Sequence, residues 1–212
     1  MFTNRNKAGE KLAKRLRDEF SFQEEAVVLS IPKGGVVVGV EVAKVLSCPH
    51  DIICVKKVTL EKDTELALGA VGETEGSVYL NKRILEEERV DKREVELIVA
   101  QIKQRIKEEE KEYRQHQSEI DLKGKQVIVV DDGAATGATM IAAVREVWNR
   151  SPRKVVVALP VCPLETLKLL ETEVDAVIVL EVPTLFSSVG EFYEDFQPVK
   201  SSHVKTLLSS AL

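Results

Sequence analysis

The sequence predicts an α/β fold: one domain over residues 1–212, with a mostly parallel central sheet flanked by helices. Three observations predict it. Short runs of β-branched apolar residues, without polar alternation, read as strands buried on both faces. Segments of helical period lie between those runs, which is the rhythm of βαβ units. The chain has 212 residues, 44% hydrophobic and 31% charged, enough for one full core in a globular protein. No internal repeat, low-complexity tract or interdomain linker interrupts it.

The elements follow in order. Residues 7–20 have helical period. Residues 26–31 form an apolar strand, and residues 35–46 a helix in spite of their valines. Residues 51–58 read as a second strand. Two short strand-like pieces, 66–71 and 77–80, flank the turn-prone Gly72-Glu73-Thr74-Glu75-Gly76. Residues 90–117 predict a long charged helix, with Val95, Ile98, Val99, Ile102 and Ile106 spaced three and four apart. A strand at 127–130 and a helix at 140–148 come next. Strands at 154–159 and 176–180 enclose a helix at 164–170.

Charge and composition exclude several classes. The net charge of -5 argues against nucleic acid as the main partner. No apolar run reaches the length of a membrane span. Met1-Phe2-Thr3-Asn4-Arg5 lacks the apolar core of a signal peptide, so a cytoplasmic location is expected. Cys48, Cys54 and Cys162 are scattered, without metal-ligand spacing, and read as reduced thiols. His50, His116 and His203 are equally scattered and read as ordinary surface or satisfied histidines. The sequence leaves a homodimer open.

The most informative run is Val127-Ile128-Val129-Val130-Asp131-Asp132-Gly133-Ala134-Ala135-Thr136-Gly137-Ala138-Thr139-Met140. A buried strand ends on two adjacent carboxylates, a loop of small residues follows, and a helix begins. Free backbone N–H groups and the helix dipole favour an anion there. Thr136 and Thr139 add hydroxyl donors, and a bulkier residue at Gly137 or Ala138 would hold an anion off the backbone. Asp131 and Asp132 would repel that anion, so they require a polyol or a metal ion. A phosphate at one end of a ligand and vicinal hydroxyls nearby satisfy both halves, which describes a ribose 5-phosphate. An acidic turn before a helix in an unrelated α/β protein is the plainer alternative.

A second strand end has the same form: Leu29-Ser30-Ile31-Pro32-Lys33-Gly34-Gly35. Gly34 and Gly35 permit conformations closed to other residues and expose N–H groups, and Lys33 adds a full positive charge. Alone, this would be an ordinary βα turn. Lys56 and Lys57 would stand at the end of the next strand, either beside that anion or in solvent.

The signature run resembles the binding motif of the type I phosphoribosyltransferases, which use 5-phosphoribosyl 1-diphosphate. The resemblance makes Asp131 and Asp132 the acidic pair and Ala135, Thr136, Gly137, Ala138 and Thr139 the 5-phosphate loop. It makes Lys33, Gly34 and Gly35 the diphosphate loop, where a strained or cis peptide is common. It implies Mg2+, held by Asp131 and Asp132, with Lys33, Asp131 and Asp132 as the catalytic residues. It places a mobile lid at about 60–77 and a small C-terminal hood at about 181–200. In the hood, Glu181-Val182-Pro183, Phe186, Val189-Gly190 and Tyr193-Glu194 look like the base-binding segment of the hypoxanthine-guanine enzymes. There Phe186 would stack on a base and Val189 would offer backbone groups to its edge. A hydrophobic flap over the sheet is the alternative.

Three features depart from the pattern. Gly133 stands where the family usually has an apolar side chain. Ala135 stands where the purine enzymes have Asp, and Pro160-Val161-Cys162-Pro163 replaces the segment carrying their Lys. The implied activity is transfer of ribose 5-phosphate to a nitrogen nucleophile, possible acceptors including a nucleobase, with release of diphosphate. The alternative from another class is a non-catalytic regulator that senses the donor on the same fold. A diphosphokinase making the donor is a further rival, but it is normally built from two such domains.

Overall fold

The computed structural model describes residues 1–19, 26–60, 63–115 and 117–209. Its centre is a five-stranded parallel sheet of β1 (Ala26–Ser30), β2 (His50–Ile52), β6 (Gln126–Val130), β7 (Lys154–Val161) and β8 (Ala176–Glu181), in the order β2-β1-β6-β7-β8. The chain runs outward from β1 to β2, then returns to the other side of β1 and runs outward again through β6, β7 and β8. The order therefore reverses between β1 and β6. Their carboxyl ends lie side by side, Ser30 opposite Val130, and Ile31 N–H donates to the Val130 carbonyl at 2.9 Å. Ligands of open parallel sheets bind at such a reversal.

The unbroken apolar strands follow from cover on both faces. Side chains alternate along a strand. Val127 and Val129 pack with Ile141, Val144 and Val147 of α5 (Ala138–Trp148) on one face. Ile128 and Val130 pack on the other face with Leu12 and Leu16 of α1 (Arg5–Glu19) and with Val38 and Val42 of α2 (Gly34–Leu46). Each such side chain contributes ~1.5–3 kcal/mol by leaving water. The valines of α2 carry little helix propensity; their burial overrides it.

A second sheet, antiparallel, consists of β3 (Lys56–Leu60), β4 (Asp63–Val71) and β5 (Val78–Leu80). This corrects one expectation. The strand predicted over 51–58 is two strands in different sheets, because Ile53–Val55 carry the chain from β2 into β3. The segment expected to form a lid, about 60–77, covers β4 and a 3-10 turn at Glu75–Ser77, and its residues 61–62 lie outside the described residues. Val58, Leu68 and Val71 bury against Val95, Ile102 and Ile106 of α4 (Lys92–Arg114), which follows the short α3 (Lys82–Glu87). Asp91 caps α4, its carboxylate accepting from Arg93 N–H at 2.7 Å. Arg114 at the far end pairs with Asp51 (3.1 Å) and Glu110 (3.0 Å), tying α4 to β2.

The helix at Leu164–Glu171 (α6) stands as predicted. The last helix, α7 (Ser201–Ser209), was not expected; Val204 and Leu208 bury against the α4 cluster. No helix among the described residues is long and apolar enough to cross a membrane.

Candidate active site

Two strand ends build the site. Beyond β6, Gly133 has φ +156 and Gly137 has φ +77, both in the region that favours glycine. A Cβ on Gly133 would meet Val189 at 2.6 Å and Val161 at 3.0 Å. The missing apolar side chain there has a plain reason: the hood residue Val189 and β7 already fill its space. Ala134 N–H donates to the Val161 carbonyl at 3.0 Å, and the Thr166 hydroxyl donates to the Ala135 carbonyl. These bonds fix the loop against β7 and α6. Gly137 then serves as N-cap of α5, and no side chain caps the first amides of the helix.

Asp131, Gly133, Ala134, Ala135, Thr136, Gly137, Ala138, Thr139, Lys57 and Val189 line one cavity of about 200 Å³. So the expected phosphate loop, one carboxylate, one lysine and one hood residue share a space. Lys56 does not join them. It ion-pairs with Glu109 of α4, because neighbouring residues of a strand point to opposite faces.

Beyond β1, the Pro32–Lys33 peptide is cis and α2 begins at Gly34. Lys33 is the exposed N-cap residue and does not line the cavity. The two loops touch closely. A Cβ on Gly35 would lie 2.9 Å from the Asp131 carboxylate, and one on Gly34 would lie 1.9 Å from Oδ2 of Asp132.

The acidic pair divides its contacts. Asp131 Oδ1 accepts from the Asp132 N–H at 2.8 Å, and Asp131 lines the cavity. Asp132 Oδ2 accepts from Arg5 Nε at 2.7 Å, both side chains being mostly buried. Burial and the Asp132 charge push the Asp131 carboxyl well above its ordinary range. Burial also raises Asp132, and Arg5 opposes that rise. Tyr193 donates its hydroxyl to the Asp132 carbonyl at 2.6 Å. The Arg5 guanidinium lies 3.8 Å over the Phe196 ring and donates to the Gln197 carbonyl at 2.9 Å.

Arg5, Tyr193 and Phe196 were not anticipated as site residues. Arg5 precedes Asp132 by 127 positions; Tyr193 falls within the hood segment, and Phe196 lies three residues after Tyr193. Phe186 stacks on Phe192 with centroids 5.5 Å apart, within a cluster holding Phe2, Val161 and Tyr193. One of its faces is thus already taken.

The donor set suits Mg2+ in one way only. No cluster of three metal-binding side chains exists among the described residues. Two adjacent carboxylates, one of them balanced by Arg5, fit a hard cation that brings most of its ligands from a diphosphate and water.

A family model for the phosphoribosyl transferase domain matches residues 2–196. A provisionally named phosphoribosyl transferase of Mycobacterium tuberculosis (strain H37Rv) is 33% identical over 211 residues, which is 100% of this chain and 47% of that protein. The chain therefore spans about half the length of this relative. The crystal structure of TT1426 from Thermus thermophilus is similar at 38% identity and a TM-score of 0.80, covering 98% of this chain and 97% of that one. The AQ2163 protein of Aquifex aeolicus shares the fold at 19% identity and a TM-score of 0.53, over 84% of this chain and 74% of its own.

Proposed function

The chain belongs to the phosphoribosyl transferase domain family, and we propose that it transfers ribose 5-phosphate from 5-phosphoribosyl 1-diphosphate to a nitrogen nucleophile. One observation carries this reading: an amide-lined phosphate loop and a glycine-rich strand end meet at the sheet's reversal point, with an acidic pair between them.

In this reading the 5-phosphate sits on the amides of Gly137, Ala138 and Thr139, with Thr136 and Thr139 hydroxyls donating. Asp131 accepts from the ribose hydroxyls, and Lys57 adds a positive charge to the same cavity. The diphosphate lies against Gly34 and Gly35 beside Lys33. The acceptor nitrogen's lone pair forms the new C1–N bond. The C1–O bond breaks, its electron pair leaves with diphosphate, and the proton lost from nitrogen passes to solvent. Positioning and charge stabilisation do most of the work. Asp131 and Asp132 would hold Mg2+, which would supply charge neutralisation at the diphosphate. Ala135 offers no carboxylate to an acceptor, so 6-oxopurines are expected to be poor substrates.

The test is a screen of nucleobases and small amines with donor and Mg2+, reading diphosphate release. Release that depends on one acceptor class supports the reading. A second reading, a sensor that binds the donor without turnover, draws on Phe186: its stacking on Phe192 leaves less aromatic surface for an acceptor. Tight donor binding with no release for any acceptor would favour it and overturn the transferase reading.

A further inference from the structure

The geometry points to Arg5 as the side chain that receives the leaving diphosphate, held in the free protein by Asp132 and exchanged to the diphosphate when the donor binds. This rests on the donor reading above.

The guanidinium is in the right place. A Cβ on Gly34 would lie only 3.0 Å from Arg5 Nε, so the cation abuts the bare start of α2 where the diphosphate is expected. Asp132, its carboxylate partner, does not line the phosphate-loop cavity, whereas Asp131 does. In the free protein, then, one of the two acids that should meet ribose hydroxyls or Mg2+ is occupied. A single exchange resolves this. Arg5 turns to a ligand of higher charge, whose oxygens match its planar fork, and Asp132 is released.

The cation does not depend on Asp132 to stay put. It rests on Phe196 and on the Gln197 carbonyl. The backbone before it is paired with the hood: Phe2 N–H to the Phe192 carbonyl at 2.7 Å, Glu194 N–H to Phe2 at 2.8 Å and Asp195 N–H to Thr3 at 3.0 Å. Arg5 thereby joins the hood to the donor site.

The test uses the full chain without added magnesium, with inorganic diphosphate and ribose 5-phosphate as separate probes in calorimetry. Arg5→Gln should weaken diphosphate by roughly tenfold or more and change ribose 5-phosphate by less than about twofold; Arg5→Lys should fall between. The Arg5 Nε–Hε resonance of the unaltered protein should shift with diphosphate and not with ribose 5-phosphate, a readout that stands even if Arg5→Gln fails to fold. An unmoved resonance, unchanged diphosphate affinity in Arg5→Gln, or equal weakening of both probes overturns the inference and leaves the donor reading standing. Unaltered protein that binds neither probe overturns both.

Discussion

Gly34 and Asp132 are in mutual contact across the sheet's reversal point: a single added carbon on Gly34 would lie 1.9 Å from Asp132 Oδ2. The two loops are therefore in direct contact, although 98 positions separate them in sequence. Gly34→Ala should displace the Asp132 carboxylate and Arg5 together. Donor affinity should fall by at least about tenfold while the fold survives, as read by calorimetry beside circular dichroism. Unchanged affinity would show that the carboxylate's place is irrelevant to the donor.

The adjacent lysines should behave oppositely. Lys57→Met removes the lysine that lines the cavity of the loop before α5 and should weaken donor binding by roughly tenfold. Lys56→Met breaks only the pair with Glu109, a part-exposed contact worth less than about 1 kcal/mol, and should leave donor affinity intact. The reverse pattern would contradict the orientation of β3.

His50 is buried, its Nε2 2.7 Å from the Ser30 hydroxyl and its Nδ1 without a partner among the described residues. Burial lowers its pKa from 6.5 to about 4, against the opposing charge of Asp51. The fold thus favours the neutral ring, and the unfolded chain takes up the proton first. His50's contribution is complete above pH 6.5 and is lost as pH falls toward 4, by up to about 3 kcal/mol. His50→Gln should flatten that part of the pH dependence in urea unfolding between pH 7 and 4.5. Parallel curves for the two proteins would refute it.

Phe186→Ala separates two roles for the hood. Should its free face carry a planar base, the acceptor KM rises by roughly five- to hundredfold, since such stacking is worth ~1–3 kcal/mol, and donor affinity holds. A fall in Tm with KM unchanged assigns the ring to hood packing with Phe192 alone.

What the sequence revealed depended on how local the cause was. The valines of β6, the acids after it and Gly137 act through backbone and immediate neighbours, so their pattern was readable and the structure places them as a strand, a pair and a helix cap. The Gly34 turn was readable for the same reason. Arg5 was not, because nothing in an arginine at a helix start marks a carboxylate 127 positions away. Lys56 and Lys57 looked alike until the strand's alternation set them apart. The break between β2 and β3 was hidden because Ile53 and Cys54 are apolar and buried, like Ile52 and Val58 in the strands they join. The helix over residues 201–209 was missed although Val204 and Leu208, four residues apart, set one of its faces against the α4 cluster.

The most direct test of the central claim is calorimetric titration of 5-phosphoribosyl 1-diphosphate with Mg2+ into the unaltered chain and into Gly137→Val. Valine at φ +77 is strained by more than about 1 kcal/mol, and its Cβ would meet Thr166 of α6 at 3.0 Å, so the loop before α5 would have to shift. Saturable binding at one site, abolished by Gly137→Val in a variant that remains folded, is the predicted result. Equal binding by both proteins would place the donor elsewhere and contradict the account.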